Sequence, residues 1–240
     1  MSNPYLLLWL EAPLQSWGHD SKFGRRDSLD FPTKSGVFGL LCCALGAGGK
    51  QTYRLAGWAD CDMQLKSYAL KDRKDKPLVR QPLMRDFHMV GSGYDDKDPW
   101  QNLLIPKTSE GKKPNGAGTK MTYRYYLQDM AFAVALQGSL DELMMLENAL
   151  QNPVWDLYLG RKNCVPTEFI AQGIHENIDQ AFEAADQFAA SKNRCSIFSV
   201  QQGEHEGEVL TLNDVPLQFG EHKLYRDRRV TVVAVDNNDE

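Results

Sequence analysis

The order of apolar patterns along the first 150 residues constrains the fold more than any other feature of this sequence. Short apolar or alternating runs are typical of strands, and longer apolar or amphipathic segments are typical of helices. Strand patterns occupy 5–10, 63–70, 121–126 and 130–136, and helix patterns occupy 36–45 and 140–150. We predict that Ser35 caps the first helix and that Gly46 ends it, because these residue types favour those positions.

Residues 72–120 lie between the second and third strand patterns and contain few periodic apolar positions. A run of that length inside a compact domain indicates an ordered hairpin with a mobile tip, which we place at 111–118. The overall order predicts an α+β fold with a ferredoxin-like βαββαβ palm, the arrangement that RNA-recognition domains also use. The predicted units are a palm at 1–71 and 121–160, a β-hairpin thumb at 72–120, and a small β-rich extension at 161–240 that packs on the palm.

The net charge of −5 is distributed unevenly along the chain. Residues 1–65 are neutral, residues 66–124 carry 13 Lys/Arg against 7 Asp/Glu, and residues 125–240 carry 8 against 19. A basic middle between neutral and acidic segments indicates an anionic partner on one face. A solvated charged loop would produce the same pattern.

The cysteines and the first apolar run indicate the cellular compartment in which the protein works. The five cysteines include no C-x-x-C spacing, and an odd count does not fit a disulfide framework, so we expect a reducing cytoplasm. The apolar run that starts at Tyr5 is ended by Glu11 and is too short for a membrane span. We therefore expect no membrane association.

The segment 31–36, FPTKSG, is the most informative motif. A helix N-terminus has unpaired N–H groups and a positive dipole end, and both favour a phosphate. Lys34 would add a charge, Thr33 and Ser35 would add hydroxyl donors, and Gly36 would allow close approach. The alternative interpretation is a well-capped core helix with one exposed lysine.

Three further segments combine cations with aromatic or flexible side chains. Nucleic-acid interfaces use cations for phosphates and aromatic rings for unstacked bases. The candidate residues are Arg85, His88 and Met89 in the segment 84–90, Arg124 and Tyr125 in 122–127, and Arg161 and Lys162 in 158–163. The alternative interpretations are local ion pairing for the first segment, an aromatic ladder for the second and a solvated turn for the third.

No catalytic motif is visible. The histidines are not paired at metal-ligand spacing on a helix, and no G-x-S-x-G or cysteine-nucleophile signature occurs. We therefore predict no catalytic residue, no metal site and no cofactor.

Five segments together resemble the CasD family, the Cas5 subunit of the type I-E CRISPR Cascade complex. They are LEAPLQSWG at 10–18, FPTKSGVFGLL at 31–41, MRDFH at 84–88, YRYYL at 123–127 and YLGRKNC at 158–164. The resemblance implies a palm with a hairpin thumb that holds the 5′ handle of the CRISPR RNA in a cytoplasmic ribonucleoprotein complex for antiviral defence. The implied partners are that RNA, the CasC backbone subunit and the CasA large subunit, with target DNA contacted only through the complex.

The resemblance assigns handle binding to Arg26, Thr33, Lys34, Ser35, Gly36, Arg161 and Lys162. It assigns the thumb role to Arg85, His88 and Met89, and Arg124 and Tyr125 to the palm. Two alternatives stay open. One is a metal-independent endoribonuclease that cuts CRISPR repeat RNA, with His88 and Tyr125 as the pair to test. The other is a protein-interaction module with no RNA role, which the acidic net charge favours.

Overall fold

The computed structural model describes residues 3–19, 21, 24–90, 97–99, 108–112 and 120–235. Most of the tip predicted at 111–118 and part of the predicted thumb therefore lie outside the described residues. Within the described part, no helix combines the length and the apolar character that crossing a membrane requires.

The described residues form helices and strands in a mixed order. The helices are α1 (Lys34–Ala44), α2 (Thr52–Trp58), α3 (Leu140–Gln151) and α4 (Ile178–Ser191). The strands are β1 (Tyr5–Glu11), β2 (Leu14–Gln15), β3 (Arg25–Arg26), β4 (Met63–Leu70), β5 (Met84–Val90), β6 (Lys120–Gln128), β7 (Ala131–Gln137), β8 (Ala171–His175), β9 (Arg194–Gln202), β10 (Glu208–Gln218) and β11 (Leu224–Ala234).

The main sheet contains seven of the described strands in the order β10-β11-β9-β4-β7-β1-β8, and every neighbouring pair is antiparallel. Helices cover both faces at β1, which explains why its sequence is continuously apolar instead of alternating. Leu6, Leu8 and Leu10 pack in the same core cluster as residues of α1 and α3. Leu7 and Trp9 point to the other face, toward α4. The prediction of a mixed α+β fold is thus confirmed.

The C-terminal region is part of the main sheet and does not form a separate extension. Residues 171–234 supply four of the seven strands, and β9 continues the sheet by pairing with β4 along Leu65–Leu70. The boundary predicted at residue 160 lies in a turn before β8, and strands on both sides of it belong to the same sheet. Pairing between strands so distant in sequence depends on tertiary contacts, which local patterns do not reveal.

A second, smaller sheet is built around β6. β5 lies antiparallel to β6 over seven residue pairs, β3 lies parallel to it, and β2 pairs with its end. After β6, a turn at Asp129, whose φ is +52°, leads directly into β7 of the main sheet. The β6 arm of the hairpin is therefore joined to the main sheet by one short turn, whereas residues 71–83 connect β4 to β5.

A buried ionic cluster joins the end of β1 to the start of β9. The Glu11 carboxylate accepts hydrogen bonds from the Trp9 indole at 2.8 Å and from Arg194 at 2.9 Å, and Lys192 lies 3.2 Å away. Burial alone would raise the pKa of Glu11, but these three donors more than offset it and hold the pKa below its ordinary value. The ionised carboxylate therefore stabilises the folded chain.

We expect Glu11→Gln to lower the free energy of unfolding by about 3 kcal/mol at pH 7, because it leaves Arg194 buried beside a neutral group. Since the folded pKa is depressed, the stabilisation is present above the unfolded pKa and is lost as pH falls below it. Melting curves between pH 7 and pH 3.5 should show the two proteins converging in acid. Glu206→Gln, at an exposed position, is the matched control. A difference from wild type that stays constant with pH would contradict the assignment.

Candidate nucleic-acid interface

The N-terminus of α1, predicted to hold a phosphate, is already occupied by a carboxylate of the chain itself. Asp214 of β10 accepts a hydrogen bond from the Lys34 backbone N–H at 2.7 Å. The hydroxyl of Thr33, which is the N-cap in place of the predicted Ser35, accepts from the Gly36 N–H at 3.1 Å. Internal acceptors thus satisfy two of the N–H groups that the prediction offered to RNA.

Lys34 points into the protein, so its predicted contact with a phosphate is wrong. Its side chain is 1% exposed, and the ammonium donates to the carbonyls of Ala59 at 2.9 Å and Cys61 at 2.7 Å. Burial lowers its pKa from the ordinary value. Thr33 is also buried, whereas Ser35 and Gly36 reach the surface.

Asp214 is held from its other side by Arg228 of β11. The guanidinium donates twice to the carboxylate, at 2.7 and 2.9 Å, and both side chains are more than nine-tenths buried. The Asp214 carboxylate is therefore bound by a buried guanidinium on one side and by the first N–H of α1 on the other, and Arg228 depends on it for neutralisation.

Removal of this carboxylate should weaken the fold strongly. We expect Asp214→Ala to lower the free energy of unfolding by about 3–5 kcal/mol, because it leaves Arg228 buried without a counter-ion and the Lys34 backbone N–H without its acceptor. Urea unfolding followed by tryptophan fluorescence measures this loss. Asp227→Ala, at an exposed position on β11, should cost less than about 1 kcal/mol. Equal losses for the two variants would show that the buried network contributes little.

The β5–β6 hairpin carries an exposed face of rings, sulfur atoms and cations. Antiparallel pairing places Arg85, Phe87 and Met89 of β5 on the same side as Met121, Tyr123 and Tyr125 of β6. Phe87 is 50% exposed, Met89 55%, Met121 61% and Tyr123 45%. No core residue of the described chain covers this apolar surface, which leaves it open to a partner.

Cations lie directly on the rings of this face. The Arg85 guanidinium is 5.4 Å from the centre of the Tyr123 ring, and Phe87 packs on the same ring with centroids 5.4 Å apart. Arg25 of β3 lies 4.9 Å from the Tyr125 ring centre. We call the residues Arg25, Arg85, Phe87, Met89, Met121, Tyr123 and Tyr125 the hairpin face. Sequence analysis missed Arg25 and Met121 as site residues, although the alternation along β6 contained the signal for Met121.

His88 and Arg124 lie on the opposite side of the hairpin. The His88 ring contacts the Asp86 carboxylate, and Asp86 pairs across the strands with Arg124. His88 and Tyr125 therefore point in opposite directions. The structure does not bring together the pair considered as a catalytic base for RNA cleavage.

Arg161 acts as an internal brace. Its guanidinium donates to the carbonyls of Tyr125 at 3.1 Å and Arg26 at 2.9 Å, and it lies 4.6 Å from the Tyr126 ring centre. The predicted phosphate contact of Arg161 is therefore not supported, because the cation is used to join β3, β6 and the turn at 160–163. Lys162 on the same turn is exposed.

A cleft of about 530 Å³ runs along the outer side of α1. Ser35, Gly36 and Gly39 form its floor, and aromatic side chains from two distant segments line it. These wall residues are Trp155, Tyr158, Phe219 and Tyr225, together with Lys223. Sequence analysis missed all five, since the segments that carry them meet only in the folded chain. Among the described residues, no group of His, Cys, Asp and Glu is arranged to hold a metal ion.

Comparison with known proteins decides the family. The model of the CRISPR-associated protein (Cas_Cas5) family matches residues 5–231. The chain belongs to the Cas5 family. The resemblance inferred from the five sequence segments is thereby confirmed.

Curated and solved relatives agree with this placement. The CRISPR system Cascade subunit CasD of Escherichia coli (strain K12) is 32% identical to this Cas5 chain over 166 residues, which cover 67% of the chain and 66% of the relative, just under two thirds. A chain of a solved CRISPR RNA-guided surveillance complex matches with a TM-score of 0.69 and 27% identity, covering 96% of this chain and 90% of that one. A structure described as a Cas protein crystal structure matches with a TM-score of 0.60, 27% identity and 96% and 94% coverage.

Proposed function

We propose that this Cas5 chain is a non-catalytic RNA-binding subunit of a type I-E Cascade complex. In this role it holds the 5′ handle of the CRISPR RNA and caps the backbone filament beside the large subunit. The observation that carries the proposal is the hairpin face, an exposed row of rings and thioethers with arginines lying on it. The family match and the likeness to a chain of a surveillance complex support the assembly in which we place it.

The chemistry of the hairpin face suits single-stranded RNA. Unstacked bases gain free energy by stacking on aromatic rings, and arginines beside the rings neutralise the adjoining phosphates. The segment 66–124, which contains most of this face, carries a charge of +6 in an acidic chain.

We further propose that the centre of the main sheet is a ferredoxin-like palm. The elements β1, α1, β4, β7, α3 and β8 follow one another in the order strand, helix, strand, strand, helix, strand. Their strands lie in the sheet order β8-β1-β7-β4, so the first strand is flanked by the fourth and the third. The hairpin inserted between β4 and β7 then corresponds to a thumb beside the palm.

The proposed RNA contacts are revised by the geometry. Arg85, Met89 and Tyr125 contribute to the hairpin face, and His88 and Arg124 would meet RNA that passes on its other side. Arg26, Ser35, Gly36 and Lys162 remain candidates for the handle, whereas Thr33, Lys34 and Arg161 act inside the protein. The proposed protein neighbours are the CasC backbone and the CasA large subunit, and target DNA is reached through the complex.

Loss of rings from the hairpin face should weaken RNA binding. We expect Phe87→Ala and Tyr123→Ala each to reduce the affinity for a repeat-derived RNA by about 5- to 150-fold, the range of one lost base stack. Fluorescence anisotropy with labelled RNA at several salt concentrations measures this. Tyr53→Ala removes a ring that is 95% exposed on α2 and should leave affinity unchanged. If all three variants bind RNA alike, the hairpin face is not the binding surface.

The non-catalytic role has its own test. Because His88 and Tyr125 lie on opposite sides of the hairpin, we expect repeat RNA incubated with the purified protein and EDTA to remain intact. Denaturing gel electrophoresis of end-labelled RNA reads the outcome. A single site-specific product that His88→Ala abolishes would instead identify a metal-independent endoribonuclease.

A further inference from the structure

The Arg161 side chain reaches from the turn at 159–164 to the two strands that carry one end of the hairpin face. One terminal nitrogen donates to the Tyr125 carbonyl of β6 at 3.1 Å, and the other donates to the Arg26 carbonyl of β3 at 2.9 Å. The planar fork of an arginine holds two acceptors at once in a fixed geometry, which a lysine ammonium on its flexible stem does not reproduce.

The turn that carries Arg161 is itself fixed against the loop after β1. Gly160 has a φ of +93°, and a Cβ there would lie 1.7 Å from the Ser16 carbonyl oxygen, so only glycine allows the close approach. The Ser16 N–H donates to the Leu159 carbonyl at 3.2 Å, and the Leu159 N–H donates to the Cys164 carbonyl at 2.7 Å. Arg161 therefore projects from a well-anchored support.

The two carbonyls that Arg161 binds belong to the backbone that places one cation–ring pair of the hairpin face. Tyr125 supplies the ring, and Arg26 directly follows Arg25, whose guanidinium carbon lies 4.9 Å from the centre of that ring. Asp27 accepts from the Arg25 Nε at 2.7 Å. The Arg25 head is thus oriented by its own strand segment, and the position of that segment relative to Tyr125 determines whether the pair forms.

Strand β3 has little hold on β6 apart from this link. Their parallel ladder covers two residue pairs, Arg25 with Tyr123 and Arg26 with Arg124, and a ladder of this length contributes few hydrogen bonds. The fork of Arg161 adds a second connection between the same two strands. Its removal would therefore release β3 more readily than it would release the long β5–β6 pairing.

Arg161 itself lies away from the hairpin face. Successive side chains of a strand point to opposite sides, so the fully buried Tyr126 faces away from Tyr125. The Arg161 guanidinium carbon lies 4.6 Å from the centre of the Tyr126 ring, and its terminal nitrogens donate to backbone carbonyls. An RNA strand that follows the rings of the hairpin face would meet Arg25 and Tyr125 without reaching Arg161.

We infer that Arg161 is a positioning residue, which holds Arg25 against the Tyr125 ring so that this pair is assembled before RNA arrives. This inference rests on the proposed function and replaces the phosphate contact that the family resemblance implies for Arg161. Its physical basis is preorganisation, because a cation that is already in place loses little conformational entropy when a phosphate binds to it. Without the fork, RNA binding would have to order β3, and the affinity would fall.

Two substitutions of Arg161 separate positioning from phosphate binding. Arg161→Lys keeps the charge and loses the forked donor, whereas Arg161→Gln loses both. We expect each variant to bind repeat-derived RNA about tenfold more weakly than wild type, a loss typical of groups that act through direct contact with one another. A phosphate contact would be largely kept by Arg161→Lys. Arg229→Gln, which removes an exposed arginine paired with Glu204, is the matched control and should leave the affinity unchanged.

Combination with Arg25→Gln gives a readout that a merely structural role would not change. For a single strand, the logarithm of the affinity falls with the logarithm of the salt concentration by about 0.7 for each neutralised phosphate. If Arg161 acts through Arg25, the double variant Arg25→Gln/Arg161→Gln should lower this slope by about 0.7 and bind as weakly as Arg161→Gln alone. Two independent phosphate contacts would lower the slope by about 1.4 and multiply the two losses of affinity.

The measurements are fluorescence anisotropy over a salt series and thermal melting of the same preparations, with binding assayed below the melting range. Wild-type affinity in Arg161→Lys, or additive losses in the double variant, overturns the inference. A lower melting temperature with unchanged RNA affinity overturns it as well, because Arg161 would then serve only the fold. If Arg161→Gln does not fold, Arg161→Lys decides by its affinity, since its stem keeps the packing on Tyr126.

The outcome for the proposed function is read separately. If Arg25→Gln and Phe87→Ala weaken binding while Arg161→Lys does not, the hairpin face binds RNA and only the role of Arg161 is wrong. If Arg25→Gln and Phe87→Ala both bind RNA as wild type does, the proposed function fails together with the inference.

Discussion

The arrangement of this chain depends on one buried carboxylate. Asp214 accepts from the first N–H of α1 and from the guanidinium of Arg228, while the Lys34 ammonium is satisfied by carbonyls at the end of α2. Burial of charges is costly, so the geometry of these hydrogen bonds must be kept for the charges to remain inside. Because the carboxylate comes from β10 and the helix from the other half of the chain, the network fixes α1 against the C-terminal strands. It thereby sets the distance between the floor and one wall of the cleft.

The hairpin face is held just as firmly. Tyr126 and Leu127, near the end of β6, are buried in the core, and Arg161 ties the carbonyls of β3 and β6 together. The rings further along β6 therefore project from an anchored base. Because the hairpin face is already ordered, it loses little conformational entropy when a flexible RNA strand binds. This favours tight binding even where the buried interface area is modest. The hairpin face thus shares one frame with the main sheet.

Local patterns predicted what depends on neighbours in sequence. The order of elements, the end of α1 at Gly46 and the basic character of 66–124 follow from propensity, capping and charge. The direction of the Lys34 side chain did not follow, because the carbonyls of Ala59 and Cys61 set it, and the carboxylate that binds the helix start lies 180 residues away at Asp214. The joining of β9 to β4 and the meeting of Trp155 with Tyr225 are long-range in the same sense. The segment FPTKSG is compatible with a phosphate-binding helix start and with a well-capped core helix, and only tertiary contacts distinguish the two.

The distance along the chain between α1 and its anchoring carboxylate also bears on biosynthesis. Helix α1 leaves the ribosome early, yet the strand whose carboxylate binds its first N–H is translated last but one. Until β9 emerges, the sheet edge at β4 has no neighbour, and until β10 and β11 emerge, Asp214 and Arg228 are not in place. The protein therefore cannot reach its final state by stepwise growth from the N-terminus, and its early intermediates should depend on chaperones for protection.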